Sequence, residues 1–280
     1  MDRSRIDLHT HTTCSDGALT PRALVRKAHA AGLRAVAVTD HDTVAGVAAA
    51  QAAGAALGID VVPGVELSVT VDGAEYHLLG YGMDLADGRF QDYLERFRRQ
   101  RAERAEQMVD HLRALGVALS FDDVLAQASG DALGRPHVAS ALVAAGHVAT
   151  PQEAFERYLG NRGPAFVPKP SFPAEAALDL VHAAGGVAVL AHPGHWTSDA
   201  VLMHLIRNGL DGIETVHPSH DDFLTRYYRR IARDFVLLET GGSDYHGTRP
   251  TDEAAFGRYT VPYRRLERLY RHQARRLADA

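Results

Sequence analysis

His9-Thr10-His11 sets two imidazoles two residues apart directly after the apolar stretch Arg5-Ile6-Asp7-Leu8. Side chains at i and i+2 of an extended chain point the same way, so both rings can reach one ion. Asp16 follows in a polar loop. Asp40-His41-Asp42 comes after Ala35-Val36-Ala37-Val38, Glu66 closes the run from Ile59, and His77 sits on the next apolar run. His192 follows Val187-Ala188-Val189-Leu190, His217 follows Gly212-Ile213-Glu214-Thr215-Val216, and Asp244 and His246 repeat the i, i+2 spacing after Phe235 to Glu239. Histidine mixed with carboxylate suits zinc, manganese or iron, whereas all-oxygen sites suit magnesium or calcium. The nine candidates His9, His11, Asp16, His41, Glu66, His77, His192, Asp244 and His246 exceed the needs of one tetrahedral ion. Two or three clustered divalent ions are implied, with one carboxylate bridging.

Such groups need a scaffold that brings strand ends together. Short apolar runs of strand length alternate with helical stretches, the pattern of a parallel sheet covered by helices. About seven strands favour a closed barrel over an open sheet, and barrel enzymes carry their catalytic groups at the carboxyl ends of the strands. Pro21 opens a helix that Gly32 stops, Asp72-Gly73 reads as a hairpin turn, and Pro262 to Ala280 reads as a closing helix. Residues 1–99 and 166–280 are expected to form the barrel and residues 100–165 a helical insertion. Of the 16 histidines, His29, His111, His182 and His204 lie in helical patterns and read as surface or packing residues. The net charge of -5 excludes a global basic field for nucleic acid, no apolar run reaches a membrane span of roughly 20 residues, and the lone Cys14 fits a reducing cytosol. The expected location is therefore cytoplasmic, with no membrane and no obligatory protein partner.

The motifs Asp7-Leu8-His9-Thr10-His11, Thr39-Asp40-His41-Asp42, Pro63-Gly64-Val65-Glu66, Ala191-His192-Pro193 and Gly242-Ser243-Asp244-Tyr245-His246 together resemble the PHP (polymerase and histidinol phosphatase) family of phosphoesterases. The resemblance implies an α/β fold, a distorted TIM-like barrel of seven β/α units. It also implies three metal positions: His9, His11, Glu66 and Asp244; Asp16, His41 and His192; and Glu66, His77 and His246, with Glu66 as the bridge. Amidohydrolases also carry His-x-His after strand one but add a bridging lysine at mid-barrel, and no lysine here follows a suitable strand. Gly134-Arg135-Pro136-His137 and Gly212-Ile213-Glu214 leading to His217 make the chain most similar to bacterial 3′,5′-nucleotide bisphosphate phosphatases and 5′→3′ exoribonucleases.

The implied substrate is a nucleotide bisphosphate or a short 5′-phosphorylated RNA, with manganese as the first metal and zinc or iron as alternatives. A bound metal lowers the pKa of water from 15.7 to about 7, and paired ions can clamp attacking and leaving oxygens. The remaining phosphate oxygens call for planar cationic donors, which Arg101, Arg104 and Arg135 supply. His217 is expected either to protonate the leaving oxygen or to touch phosphate. A small-metabolite phosphatase such as histidinol phosphatase, or a PHP module that only holds metal, are the competing readings.

Overall fold

A computed structural model describes residues 4–128, 130, 132–169 and 172–279. Strands β1 (Arg5–Asp7), β2 (Ala35–Val38) and β3 (Asp60–Val71) are parallel, with helices α1 (Pro21–Ala30) and α2 (Val47–Leu57) as crossovers. Thr20 caps α1 by accepting the Ala23 amide, and Pro21 occupies its first turn. β2 is buried on both faces, as a covered parallel strand must be. β4 (Ala74–Tyr81) turns back antiparallel to β3, and Asp72 (φ 50) and Gly73 (φ 78) make the left-handed turn that two-residue hairpins require.

The chain then enters α3 (Gly88–Ala114), α4 (Phe121–Leu125), α5 (Arg135–Ala144), α6 (Pro151–Ala154) and a π-helical turn at Phe155–Leu159. Buried residues between Ala105 and Val167, among them Met108, Leu112, Val138, Leu142 and Leu159, form an apolar cluster of their own. The boundary expected at residue 99 falls inside the unbroken α3. The barrel resumes with α7 (Ala174–Ala183), β5 (Val187–Leu190), α8 (Asp199–Arg207), β6 (Gly212–Val216), α9 (Asp222–Asp234) and β7 (Leu238–Gly241), followed by α10 (Pro250–Ala255), β8 (Val261–Pro262) and α11 (Arg264–Asp279). The sheet order is β7-β6-β5-β4-β3-β2-β1-β8. Among the described residues, no helix is long and apolar enough to cross a membrane.

Three details differ from expectation. Glu66 does not end its strand: β3 continues to Val71, because Val65, Leu67, Val69 and Val71 alternate onto a cluster with Phe90, Leu94 and Phe97 of α3. The last parallel strand starts at Leu238 rather than Phe235, since α9 runs to Asp234 and Val236 turns left-handed (φ 57) into solvent. An eighth strand, Val261–Pro262, pairs antiparallel with β1 before the closing helix begins.

Among the described residues, the barrel closes by hydrogen bonds at its mouth. There the Leu8 amide donates to Gly241 C=O (3.1 Å), Asp244 N–H to His9 C=O (2.9 Å) and His11 N–H to Tyr245 C=O (2.9 Å). A side chain at Gly242 would put its Cβ 2.5 Å from the His9 nitrogen and 2.6 Å from Asp7 Oδ1, so this seam demands glycine. The seam that completes the barrel therefore carries two of the metal-type motifs.

Candidate metal centre

All nine candidate ligands converge on this mouth, and Glu66 is their hub. Its Oε2 lies 3.3 Å from His9 Nε2, 3.2 Å from His11 Nε2 and 3.2 Å from His41 Nδ1. Its Oε1 lies 3.0 Å from both His77 Nδ1 and His192 Nε2. Asp244 Oδ1 adds contacts at 3.3 Å to His9 and 3.1 Å to His11. Three sets of potential ligand atoms result: His9, His11, Glu66 and Asp244; His11, Asp16, His41 and His246; and His41, Glu66 and His77.

The grouping implied by resemblance needs one exchange. His246 Nε2 stands 3.3 Å from Asp16 and its ring stacks on His11 at 4.0 Å, while His192 stands beside His77 at 3.3 Å. Strand order dictates this. The loop after β7 lies against the loop after β1, which holds Asp16, and β5 neighbours β4, which holds His77. His246 thus joins the Asp16 set, and His192 joins Glu66 and His77.

The donor set fits divalent cations. His9 Nε2, both ring nitrogens of His11, His41 Nδ1 and Asp244 Oδ1 are buried without a hydrogen-bond partner among the described residues. Buried polar atoms are rarely left so, and several converging in one place suit a bound cation. Their spacing is also suitable. Metal–nitrogen and metal–oxygen bonds of about 2.0–2.2 Å put neighbouring ligand atoms roughly 2.8–3.6 Å apart. Burial would lower the proton affinity of His11, but Asp244 and Glu66 raise it to about 10. His9 is likewise held well above its ordinary range: burial opposes this, and Glu214, Asp244 and Glu66 outweigh it. The field that holds these protons equally favours a divalent ion, which would compete with them.

A ring of supporting groups orients the ligands. Glu214, fully buried on β6, accepts from His9 Nδ1 (3.1 Å) and from the His192 amide (2.8 Å). This fixes which His9 nitrogen faces the cluster. Glu214 is not among the nine candidates that the motif spacing marks, although an isolated carboxylate within an apolar strand needs a buried partner and is a readable signal. Asp7 accepts from Ser243 Oγ (2.6 Å) and the His9 amide (3.2 Å), and Asp40 from Thr12 Oγ1 (2.7 Å) and Ser15 Oγ (2.7 Å). Asp42 (φ 52), His192 (φ 25) and Asp244 (φ 51) hold left-handed backbone at the mouth, the kind of strain that clusters at functional sites. His217 borders the cluster, with Nε2 3.3 Å from Asp244 Oδ2 and Nδ1 2.7 Å from Ser219 Oγ.

The PHP-domain sequence profile matches residues 7–88. The chain is 34% identical over 248 residues to a 5′-3′ exoribonuclease of Haemophilus influenzae, covering 86% of this chain and 90% of that protein. It is 35% identical over 249 residues to a 3′,5′-nucleoside bisphosphate phosphatase of Chromobacterium violaceum, covering 87% of each. The chain belongs to the PHP family. A Bifidobacterium adolescentis structure described as a metal-dependent phosphoesterase superposes on this PHP protein with a TM-score of 0.81 at 35% identity, over 88% of this chain and 89% of that one.

The expected phosphate-binding arginines have different fates in this PHP fold. Arg101 is buried and already engaged: Nε donates to Asp42 Oδ2 at 2.8 Å, Nη2 also reaches Asp42, and Nη1 donates to Leu133 C=O at 3.2 Å. It ties α3 to the loop after β2 rather than presenting free donors. Arg104 is also buried, and its Nε donates to Val167 C=O (2.8 Å), but its Nη2 has no hydrogen-bond partner among the described residues. Burial and the neighbouring Arg135 and Arg101 push its pKa down to about 10. Arg135 is half-buried, donates to Asn161 Oδ1 (2.8 Å) and lies over the rings of Phe155 and Phe166. Lys169 pairs with Glu75 and reaches His77 Nε2 at 3.3 Å, which joins this cationic side to the metal centre.

Proposed function

We propose that this PHP protein hydrolyses nucleotide phosphate esters, converting a nucleoside 3′,5′-bisphosphate to the 5′-monophosphate plus phosphate and trimming short 5′-phosphorylated RNA from its 5′ end. The observation that carries the reading is Glu66, one buried carboxylate contacted by five histidines at 3.0–3.3 Å. That is the donor set of a multinuclear centre with a bridging carboxylate. His9, His11, Asp16, His41, Glu66, His77, His192, Asp244 and His246 would hold two or three divalent ions, manganese by preference and zinc or iron as alternatives. When bound, such ions supply Lewis-acid polarisation of the phosphoryl group and a nucleophile at neutral pH.

The chain's own groups do the rest. Glu214 keeps the His9 ring in one tautomer and orientation. His217, at the edge of the cluster, delivers a proton to the leaving oxygen or holds a phosphoryl oxygen. Residues 100–165 act as the substrate-binding insertion, and Arg104 with Arg135 receives the second phosphate. The orphaned Nη2 of Arg104 in a crowd of like charge supports this role, because an incoming dianion would satisfy both. Arg101 contributes by bracing α3 against Asp42. The names of the nucleotide-directed relatives support the substrate class. Purified protein incubated with Mn²⁺ and adenosine 3′,5′-bisphosphate, a short 5′-phosphorylated RNA or histidinol phosphate should release phosphate or nucleotides from the first two. Preference for histidinol phosphate, or no turnover of any of the three, would sink the reading.

A further inference from the structure

Beneath the closed seam, between β7 and β8, the barrel wall holds a second charged cavity. It has a volume of about 390 Å³ and is lined by Arg229 and Arg233 of α9, Arg264 and Arg265 of α11, Glu239 of β7 and Thr215 of β6, with β8 at its rim. Its origin lies in the sheet. β7 and β8 are the two ends of the strand order, and among the described residues they are hydrogen-bonded together only above, through β1, which leaves no strand ladder in the wall between them. Along β6, Glu214 points to His9, whereas its neighbour Thr215 lines the cavity. The cavity therefore backs onto the strand that supports the metal centre without sharing a ligand with it.

Its charge is not balanced. Glu239 serves two arginines, Arg265 at 2.8 Å and Arg229 at 3.7 Å. Arg233 meets only the exposed Asp234, a pairing that water and salt weaken, and Arg264 has no acidic partner among the described residues. Burial and its neighbours Arg268 and Arg264 make Arg265 easier to deprotonate, which reflects the same crowding of cations. Helices α9 and α11 together carry ten arginines against four acidic residues, in a chain of net charge -5. A concave site of roughly 300–1,000 Å³ suits a small-molecule ligand. Arginine forks match carboxylate and phosphoryl groups alike, and the more highly charged phosphoryl group is the better fit to a cavity with two uncommitted arginines.

We propose that this cavity binds a phosphoryl group, separately from the metal centre. The group belongs either to a free nucleotide or to the backbone of an RNA chain. Arg233 and Arg264 supply the uncommitted charge, and Arg265, held by Glu239, supplies a fixed fork.

The test uses the full-length chain carrying Glu66→Gln, which prevents turnover. Calorimetric titrations with adenosine 5′-monophosphate and with a 5′-phosphorylated hexaribonucleotide would be compared for this protein, for the added pair Arg233→Gln/Arg264→Gln, and for a control pair, Arg271→Gln/Arg275→Gln. The control makes the same change of net charge outside the cavity. The cavity pair should weaken binding at least tenfold and the control pair less than twofold. Loss with both probes would assign a free-nucleotide site, and loss with RNA alone would assign the RNA backbone. Equal effects of the two pairs, or no binding by the parent, would mean a solvated basic face and overturn the proposal. With Glu66 intact, the cavity pair should leave kcat on adenosine 3′,5′-bisphosphate within twofold of the parent, and a large fall would overturn the separation of the two sites.

Discussion

Two buried clusters of histidine and carboxylate sit at opposite ends of this barrel, and they are built to opposite rules. At the lower end, Asp211 precedes β6 and is fully satisfied. Its Oδ2 takes His182 Nε2 and the Ala188 amide, each at 2.8 Å, and its Oδ1 takes His272 Nε2 (2.8 Å) and Arg276 Nη1 (3.2 Å). At the mouth, Glu66 meets five histidines, yet several ring nitrogens around it have no hydrogen-bond partner among the described residues. The same residue types make a clamp in one place and a ligand set in the other. What separates them is whether the polar atoms are already paired, because a paired group is closed to a ligand and an unpaired one requires it. The mouth should therefore govern turnover with little effect on stability, and the Asp211 clamp the reverse.

The sharpest test is Glu66→Ala. A bound ion stabilises several kcal/mol of developing charge, so losing the bridge should lower kcat by roughly 10³-fold or more. The metal-free variant should melt within a few degrees of the metal-free parent, as measured by calorimetry. Near-normal kcat with metal bound would break the comparison at its centre. Elemental analysis should find at least two ions per chain after Mn²⁺ loading, and chelation should abolish activity that Mn²⁺ restores. One ion or fewer would remove the multinuclear centre.

Smaller losses are expected one step out. A charge-assisted hydrogen bond is worth roughly 1.5–3 kcal/mol, so Arg104→Ala or Arg135→Ala should each cost about 10- to 150-fold in kcat/KM on the bisphosphate. A plain monophosphate ester lacking the second group should lose little. Equal loss on both substrates would assign these arginines to the reacting phosphate or to the fold. Glu214→Gln keeps the shape but weakens the hold on His9, and should cost about 10- to 100-fold in metal affinity or activity. No change in either would mean that His9 is oriented by its ring of ligands alone.

The strand-end placement of His9, His11, His41, His192, Asp244 and His246 was legible in the sequence, because it needs only apolar runs and a two-residue period. The fold class followed from the same alternation. What was not legible depended on which strands become neighbours. The exchange of His192 and His246 follows from β4 lying beside β5 and the β7 loop lying beside β1, and sequence spacing carries no trace of either. The extension of β3 past Glu66 rests on packing against α3. Arg101 showed the limit most clearly: its place in a charged helical stretch suggested a substrate donor, but Asp42, 59 residues away, takes its fork. Charge can be counted in a sequence, whereas its partners are fixed by tertiary contacts.

The smallest effect is expected at the lower clamp, and there pH gives the decisive sign. Burial would raise the pKa of Asp211, but hydrogen bonds from His182, the Ala188 amide and His272 outweigh it and hold the carboxyl below its usual range. A carboxyl whose folded value is lowered adds stability above its ordinary pKa of about 3.9, and that stability is lost as pH falls through the folded value. Asp211→Asn keeps the shape and removes the charge. At pH 7 it should destabilise by about 1–3 kcal/mol, a shift of a few degrees in Tm. The gap between parent and variant should narrow below about pH 4, as the parent's own carboxyl protonates. Because α7, β6 and α11 meet at this residue far from Glu66, kcat at pH 7 should be unchanged. Thermal melts of both proteins at pH 7 and below pH 4, with activity measured beside them, check all three points. A variant that kept its Tm but lost activity would show that the lower cluster serves the reaction, and the division between clamp and ligand set would fail.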